Sequence, residues 1–238
     1  MKDRTEQSPL NCERDGTDAT TADRRKSAPK RPSAETTKGT AERDLMEQIV
    51  HPENLNAAWE QVRRNHGAPG VDGITIEAFP AFLGPQQERL RKALLAGSYY
   101  PEPVLRVFIP KPDGTERPLG VPTVLDRLIQ QALAQILNPL FDPGFSEHSH
   151  GFRPGRKAHN AIRKVQEAWQ AQGRHAVDCD LKAFFDTVNH DRLMGHLRQK
   201  VKDRRVLALI RRYLRAGVVM PDGRLEATPL GVPQGGPL

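Results

Sequence analysis

The sequence predicts an α+β fold, helices packed on a small antiparallel sheet behind a disordered N-terminal tail. Three observations lead there. Pro-Asp-Gly turns at residues 112–114 and 221–223 each lie between short runs of β-forming residues, the pattern of a hairpin. Between them Leu125, Leu128, Ile129, Ala132, Leu133, Ile136 and Leu137 recur at helical spacing and make one apolar face. Residues 1–44 hold no aromatic, no Val and no Ile, whereas all 13 aromatics fall in the rest of the 238-residue chain.

The first 44 residues carry ten Lys/Arg and nine Asp/Glu among Ser, Thr, Ala and Pro. Such a segment buries too little apolar area to offset the entropy of ordering it, hence the expected tail. Residues 44–50 then read as a short helix stopped near Pro52, and Leu55, Trp59 and Val62 continue at helical spacing. The glycines and proline of GAPGVDG (67–73) break the pattern. Thr75 can cap a short helix containing Ile76, Phe79 and Phe82, and Pro85 opens another that Gly97 closes. Val104–Pro110 and residues 115–121 are the arms of the first hairpin. Thr123, three residues before Asp126, has the spacing of a capping box at the head of the apolar helix.

Residues 141–154 are a Gly-, His- and Ser-rich loop, and 156–172 read as a helix. HAVDCDL (175–181) reads as a short apolar strand ending on acidic groups. Two helices follow at about 190–201 and 203–215, then a second hairpin over 218–228 and a glycine-rich loop, GVPQGGPL. Mixed helices and hairpins suit an antiparallel α+β architecture.

Composition excludes several classes. No stretch approaches the ~20 apolar residues of a membrane span, and the polar start, MKDRTEQSPL, has no apolar signal region. Two cysteines, Cys12 in the tail and Cys179 in an apolar run, make neither a disulfide framework nor a four-ligand zinc site, so reduced thiols and a cytoplasmic setting without a membrane partner are expected. Walker, dinucleotide-binding, HExxH and GxSxG motifs are absent from the sequence. Residues 45–238 carry 26 Lys/Arg against 20 Asp/Glu, a balance of +6 that points toward polyanions without identifying one.

Five groups of residues can carry chemistry. Asp180, at the end of the expected strand, could offer oxygen to a hard cation such as Mg²⁺; a strand-end Asp also commonly caps a turn or pairs with arginine. Of the adjacent Phe184 and Phe185, one can pack inward while the other makes a flat wall beside a sugar, or both can belong to the core of an irregular turn. Lys111 and Arg117 flank the first hairpin turn, where they would clamp phosphate or simply face solvent. The PQGG run allows close backbone approach, and its Gln234 can bond a base or sugar. HGFRPGR (150–156) sets Arg153 and Arg156 before a helix start, a possible anion site or a surface turn.

Taken in order, GAPGVDG, VFIPKPDGTERPLGVPTVLDRLIQQAL, FSEHSHGFRPGRKAHNAI, VDCDLKAFFDTVNHDRL and TPLGVPQGGPL resemble the reverse transcriptases encoded by mobile group II introns. The resemblance spans about residues 45–238. It implies a right-hand polymerase, with an N-terminal extension and fingers over 45–174 and a partial palm over 175–238. It also implies roles. Asp180 and the carbonyl of Leu181 would bind catalytic Mg²⁺. Phe185 would be the steric gate against a ribose 2′-hydroxyl. Lys111 and Arg117 would hold the incoming triphosphate, with Gln234 beside the nucleotide. Gly70, Asp72 and Gly73, with Arg153 and Arg156, would contact RNA. The implied partners are template or intron RNA, a DNA primer or target, and dNTPs.

One departure limits the reading. The family completes its metal pair with a Tyr-x-Asp-Asp hairpin, and these 238 residues contain no Asp-Asp dipeptide. The expectation is an N-terminal part of such an enzyme, cut before that motif and inactive alone. The alternative is an RNA-binding module without chemistry.

Overall fold

A computed structural model describes residues 44–112 and 114–237. The expected tail, with Cys12, lies outside the described residues apart from Asp44. The first helices are α1 (Leu45–Ile49), α2 (Pro52–Arg64), α3 (Phe79–Leu83) and α4 (Gln87–Leu95). The sequence explains their limits. Pro52 takes the first position of α2, where a missing N–H costs nothing. Thr75 Oγ1 accepts from the Ala78 amide ahead of α3, and Gly97 closes α4 with φ +64°.

The hairpin pairs β1 (Val104–Pro110) with β2 (Glu116–Val121) antiparallel, from Leu105 opposite Val121 to Pro110 opposite Glu116. It leads into α5 (Val124–Phe141), whose buried face belongs to the core cluster. Thr123 caps α5 as its spacing implies, its Oγ1 accepting from the Asp126 amide at 3.0 Å. Val124, Leu128, Ile129, Ala132, Leu133 and Leu137 are buried along α5; all but Val124 belong to the face expected from the sequence, whose Leu125 and Ile136 are half-buried. Each of the larger of these side chains contributes about 1.5–3 kcal/mol by leaving water. Leu133→Ala, which would open a cavity, should cost about 2–5 kcal/mol. Asn54 fastens α2 to α5, donating to the carbonyls of Ile49 and Ala132 at 2.9 and 3.2 Å.

After α6 (Ala158–Gln170) come α7 (Phe184–Thr187), α8 (His190–Lys200), α9 (Arg204–Arg215) and the short strands β3 (Val218–Val219) and β4 (Leu225–Glu226). Val206, Leu209, Ile210 and Leu214 are buried along α9, and they join the α5 face in a single core cluster. The N-terminus of α9 docks on α1. Asp203 accepts from the Met46 amide at 3.0 Å, and Arg205 reaches both carboxylate oxygens of Glu47 at 2.7 Å.

Two expectations need correction. The sheet is mixed, in the order β2-β1-β3-β4. Each hairpin is antiparallel, but β3 joins β1 in parallel, Val104 opposite Val218. Parallel pairing follows from the long helical crossover between the two strands, which returns the chain in the same direction. The segment 175–181 is not a strand, and all seven residues are exposed. Its apolar pattern is strand-like, but a strand forms only where a neighbour takes its N–H and C=O groups, and among the described residues none lies beside it. Cys179 is therefore exposed rather than held in an apolar strand. Among the described residues no helix is long and apolar enough to cross a membrane.

Candidate functional site

The loop 229–236 gathers residues far apart in sequence. Its first half is fastened to the segment around α7. The Val232 amide donates to the Phe185 carbonyl at 2.8 Å, and the Gly231 amide to the Val188 carbonyl at 2.9 Å. Gly231 has φ +81°, and a Cβ there would lie 2.8 Å from the Asp186 carbonyl oxygen. Only glycine permits both the conformation and the approach. His190, buried at the start of α8, bonds through Nε2 to the Gly231 carbonyl at 2.6 Å.

The second half of the loop rests on the hairpin. The Gly120 amide donates to the Gln234 carbonyl at 2.8 Å. Arg117 donates from Nε and Nη2 to Gln234 Oε1 at 3.3 and 2.9 Å. Arg117, Gln234 and the Phe185 backbone thus share one assembly. A cavity of about 320 Å³ opens beside it, lined by Arg106, Pro118, Asp186, Thr228 and Gln234. Lys111 is exposed at the hairpin turn, its amide bonded to the Thr115 carbonyl at 2.7 Å.

Phe184 and Phe185 are both half in solvent and meet edge to face with centroids 5.5 Å apart, so neither packs into the core. They follow Ala183, which takes a left-handed φ of +52°. Asp180 is exposed, and its Oδ1 accepts from the Leu181 amide at 2.9 Å. A carboxylate and a carbonyl are oxygen donors of the kind a hard divalent cation takes, and Mg²⁺ often needs only one or two carboxylates when phosphate and water complete its shell. The donor set therefore fits part of a Mg²⁺ site. Among the described residues no group of three or more His, Cys, Asp or Glu could hold a metal ion.

The expected RNA contacts divide. Gly70 is buried, and a Cβ on it would lie 2.6 Å from the Thr123 amide nitrogen, so its smallness serves packing against α5. Asp72 and Gly73 are exposed in the adjoining turn, where the Gly73 amide donates to the Gly70 carbonyl at 3.1 Å. Arg127, buried under this loop, donates to the Ala68 carbonyl at 2.6 Å. Arg153 uses all five of its donors inside the protein: on both carboxylate oxygens and the carbonyl of Asp142, and on the carbonyls of Ser146 and Ser149. The hydrogen bond from Arg153 holds the Asp142 carboxyl below its ordinary value. Arg156 bonds the Glu147 carbonyl and lines a cavity of about 350 Å³ with His150, Arg163, Lys164, Glu147 and Glu167, the last paired with Lys164 at 2.7 Å. Both ring nitrogens of His150 are buried there without a hydrogen-bond partner.

Sequence reading missed the buried groups that fix these loops. Asp126 accepts from Tyr99 Oη at 2.8 Å, Tyr213 Oη at 3.0 Å and the Glu102 amide at 3.2 Å, tying three segments to the head of α5. Burial pushes its carboxyl up, against hydrogen bonds from Thr123, Tyr99 and Tyr213. Its capping position was visible in the sequence, but the tyrosines are not neighbours in the chain.

Comparison with known proteins adds a family. Residues 109–238 match the family described as reverse transcriptase (RNA-dependent DNA polymerase). The chain is similar to Protein YkfC of Escherichia coli, 38% identical over 198 residues, covering 81% of this chain and 52% of that protein. It is also similar to the group II intron-encoded protein LtrA of Lactococcus lactis, 34% identical over 193 residues, covering 81% of this chain and 32% of that one. Against a partial Cas6-RT-Cas1–Cas2 complex the TM-score is 0.54 at 23% identity, covering 81% of this chain and 32% of that chain, a likeness of fold. The chain spans about half of one curated relative and about a third of the other.

Proposed function

Because the chain belongs to the reverse transcriptase (RNA-dependent DNA polymerase) family, we propose that it supplies the fingers and first part of the palm of an RNA-directed DNA polymerase of the group II intron type. The observation that carries this reading is the loop 229–236, which seats Gln234 on Arg117 while bonding to the Phe185 backbone. Those residues suit an incoming nucleotide. Arg117 and Lys111 offer a planar and a point cation to a triphosphate. Gln234 offers an amide to the sugar or base. Phe185 presents an exposed ring where a 2′-hydroxyl would have to fit, the difference between RNA and DNA precursors.

Asp180 and the Leu181 carbonyl would hold Mg²⁺, which when bound neutralises phosphate charge during nucleotidyl transfer. In this reading the 238 residues alone do not polymerise, because their sequence has no Asp-Asp pair to complete the metal set. The partners are template or intron RNA, a DNA primer or target, and dNTPs.

The test is equilibrium binding of dATP and ATP to the 238-residue chain with Mg²⁺. A preference for dATP that narrows in Phe185→Ala supports the reading, and an absence of nucleotide binding overturns it. Robust primer extension on an RNA template by the chain alone would contradict the proposed need for further carboxylates.

A second reading is favoured by the +6 balance of residues 45–238, with Arg156 and Arg163 together on one cavity: RNA binding without chemistry. Its affinity for structured RNA would fall steeply with salt. Weak salt dependence would remove its basis.

A further inference from the structure

We infer that His190 is a positioning residue for the nucleotide site, holding the loop that carries Gln234 against the turn that carries Phe185. The inference rests on the proposed function and deepens it. Phe185 and Gln234 stand on separate segments, and the two amide bonds between those segments come from backbone, Val232 to Phe185 and Gly231 to Val188. His190 adds a side-chain bond to the same junction, from Nε2 to the Gly231 carbonyl at 2.6 Å. A carbonyl oxygen only accepts, so Nε2 carries the proton in this contact.

The surroundings make the bond matter. His190 is 5% exposed and Gly231 is buried, so water does not readily replace a lost donor. The ring is fixed at the first position of α8, where Asn189 caps the helix by accepting from the Arg192 amide at 3.0 Å. Gly231 has no side chain of its own to hold it, and its close approach to the Phe185 and Asp186 carbonyl oxygens leaves no room for one. Downstream, Pro233 packs against the hairpin at Gly120, and the next hydrogen bonds to the hairpin among the described residues are those of Gln234. Losing the His190 bond therefore loosens the loop on its Phe185 side, leaving the two backbone bonds to hold it, and lets the distance between gate and amide vary.

The test compares two variants of the full 238-residue chain. His190→Phe keeps a ring of similar size but donates nothing, whereas His190→Gln places an amide donor near the Nε2 position. In His190→Phe the Gly231 and Val232 amides should exchange about tenfold faster with solvent hydrogen, while Ile129 and Leu133 in α5 stay unchanged. His190→Gln should restore protection. Affinity for dATP with Mg²⁺ should fall about fivefold in His190→Phe, recover in His190→Gln, and fall no further when Gln234→Ala is added to His190→Phe.

Wild-type exchange in His190→Phe, equal loosening in both variants, or equal loosening of Ile129 and Leu133 overturns the inference. So does a loosened loop with unchanged dATP affinity. If the wild-type chain binds no dATP, the proposed function fails by itself, and the exchange measurement still decides whether His190 holds the loop.

Discussion

Arg117 grips the side-chain oxygen of Gln234 from across 117 residues of sequence, with Nε at 3.3 Å and Nη2 at 2.9 Å. The acceptor is a neutral amide, and a phosphate would be a stronger and equally forked partner for the same guanidinium. The contact is exposed at Arg117, so it adds little to folding. Arg117→Ala should change stability by no more than about 0.5 kcal/mol yet weaken dATP binding roughly tenfold, the scale of a lost charge-assisted hydrogen bond. Thermal melts and nucleotide titration of the same variant check both halves.

Arg153 should behave in the opposite way. Its guanidinium is saturated by Asp142, Ser146 and Ser149 and lies against the Phe145 ring, 5.5 Å from its centroid. Arg153→Lys should lower the melting midpoint by several degrees, because a point cation cannot satisfy the fork, and leave the salt dependence of RNA binding unchanged. Arg163→Ala, in the cavity it lines with Arg156, should reduce the slope of log K against log salt by about 0.7–0.9 if it meets one phosphate. Filter binding at several salt concentrations distinguishes the two.

The Arg205 clamp sets an acid limit on stability. Hydrogen bonding to Arg205 lowers the Glu47 carboxyl below its ordinary 4.5. Burial raises the Asp203 carboxyl, but bonds from Arg205 and the Met46 amide outweigh it and bring it below 3.8. Both carboxyls bind protons more weakly folded than unfolded. Their contribution is present above those ordinary values and is lost as pH falls through the lowered ones. Arg205→Met should be less stable at pH 7 and lose less stability below pH about 4.5, a convergence that denaturant melts across the acid range would show.

Asp126 has the reverse sign. Its carboxyl is raised, chiefly by burial, so the fold favours its protonated form and the associated stability declines as pH rises from 3.8 toward the raised value. Tyr213→Phe removes a donor to the charged form. The variant should be about 1–2 kcal/mol less stable at pH 7, with the deficit shrinking as acid protonates Asp126. A deficit that does not change with pH would separate the Tyr213 hydroxyl from the Asp126 charge.

Gly70→Ala tests whether the 67–73 loop is anchored by packing. The added Cβ would meet Thr123 and Pro122 backbone atoms at 2.6–2.9 Å, and backbone cannot swing away as a side chain can. A loss of about 1–3 kcal/mol is expected, measured by chemical denaturation, with affinity for RNA held at wild-type level in the folded fraction.

The sequence by itself determined the local elements: the α5 face from its apolar period, the cap at Thr123, the two hairpins from their Pro-Asp-Gly turns, and the family resemblance from the order of its motifs. All but the last of those signals lie within a few residues of one another, so backbone geometry and burial pattern carry them, whereas the resemblance lies in the order of motifs along the chain. Tertiary structure alone decided what depends on partners distant in the chain. It made the β1–β3 junction parallel and left 175–181 without a strand, since pairing needs a neighbour that periodicity does not name. It made Arg153 and Gly70 internal supports, roles that their residue types do not announce. It also joined Arg117, Gln234, Phe185 and His190 through the loop 229–236, because a hydrogen bond is set by distance in space and these four residues share no spacing that a linear reading detects.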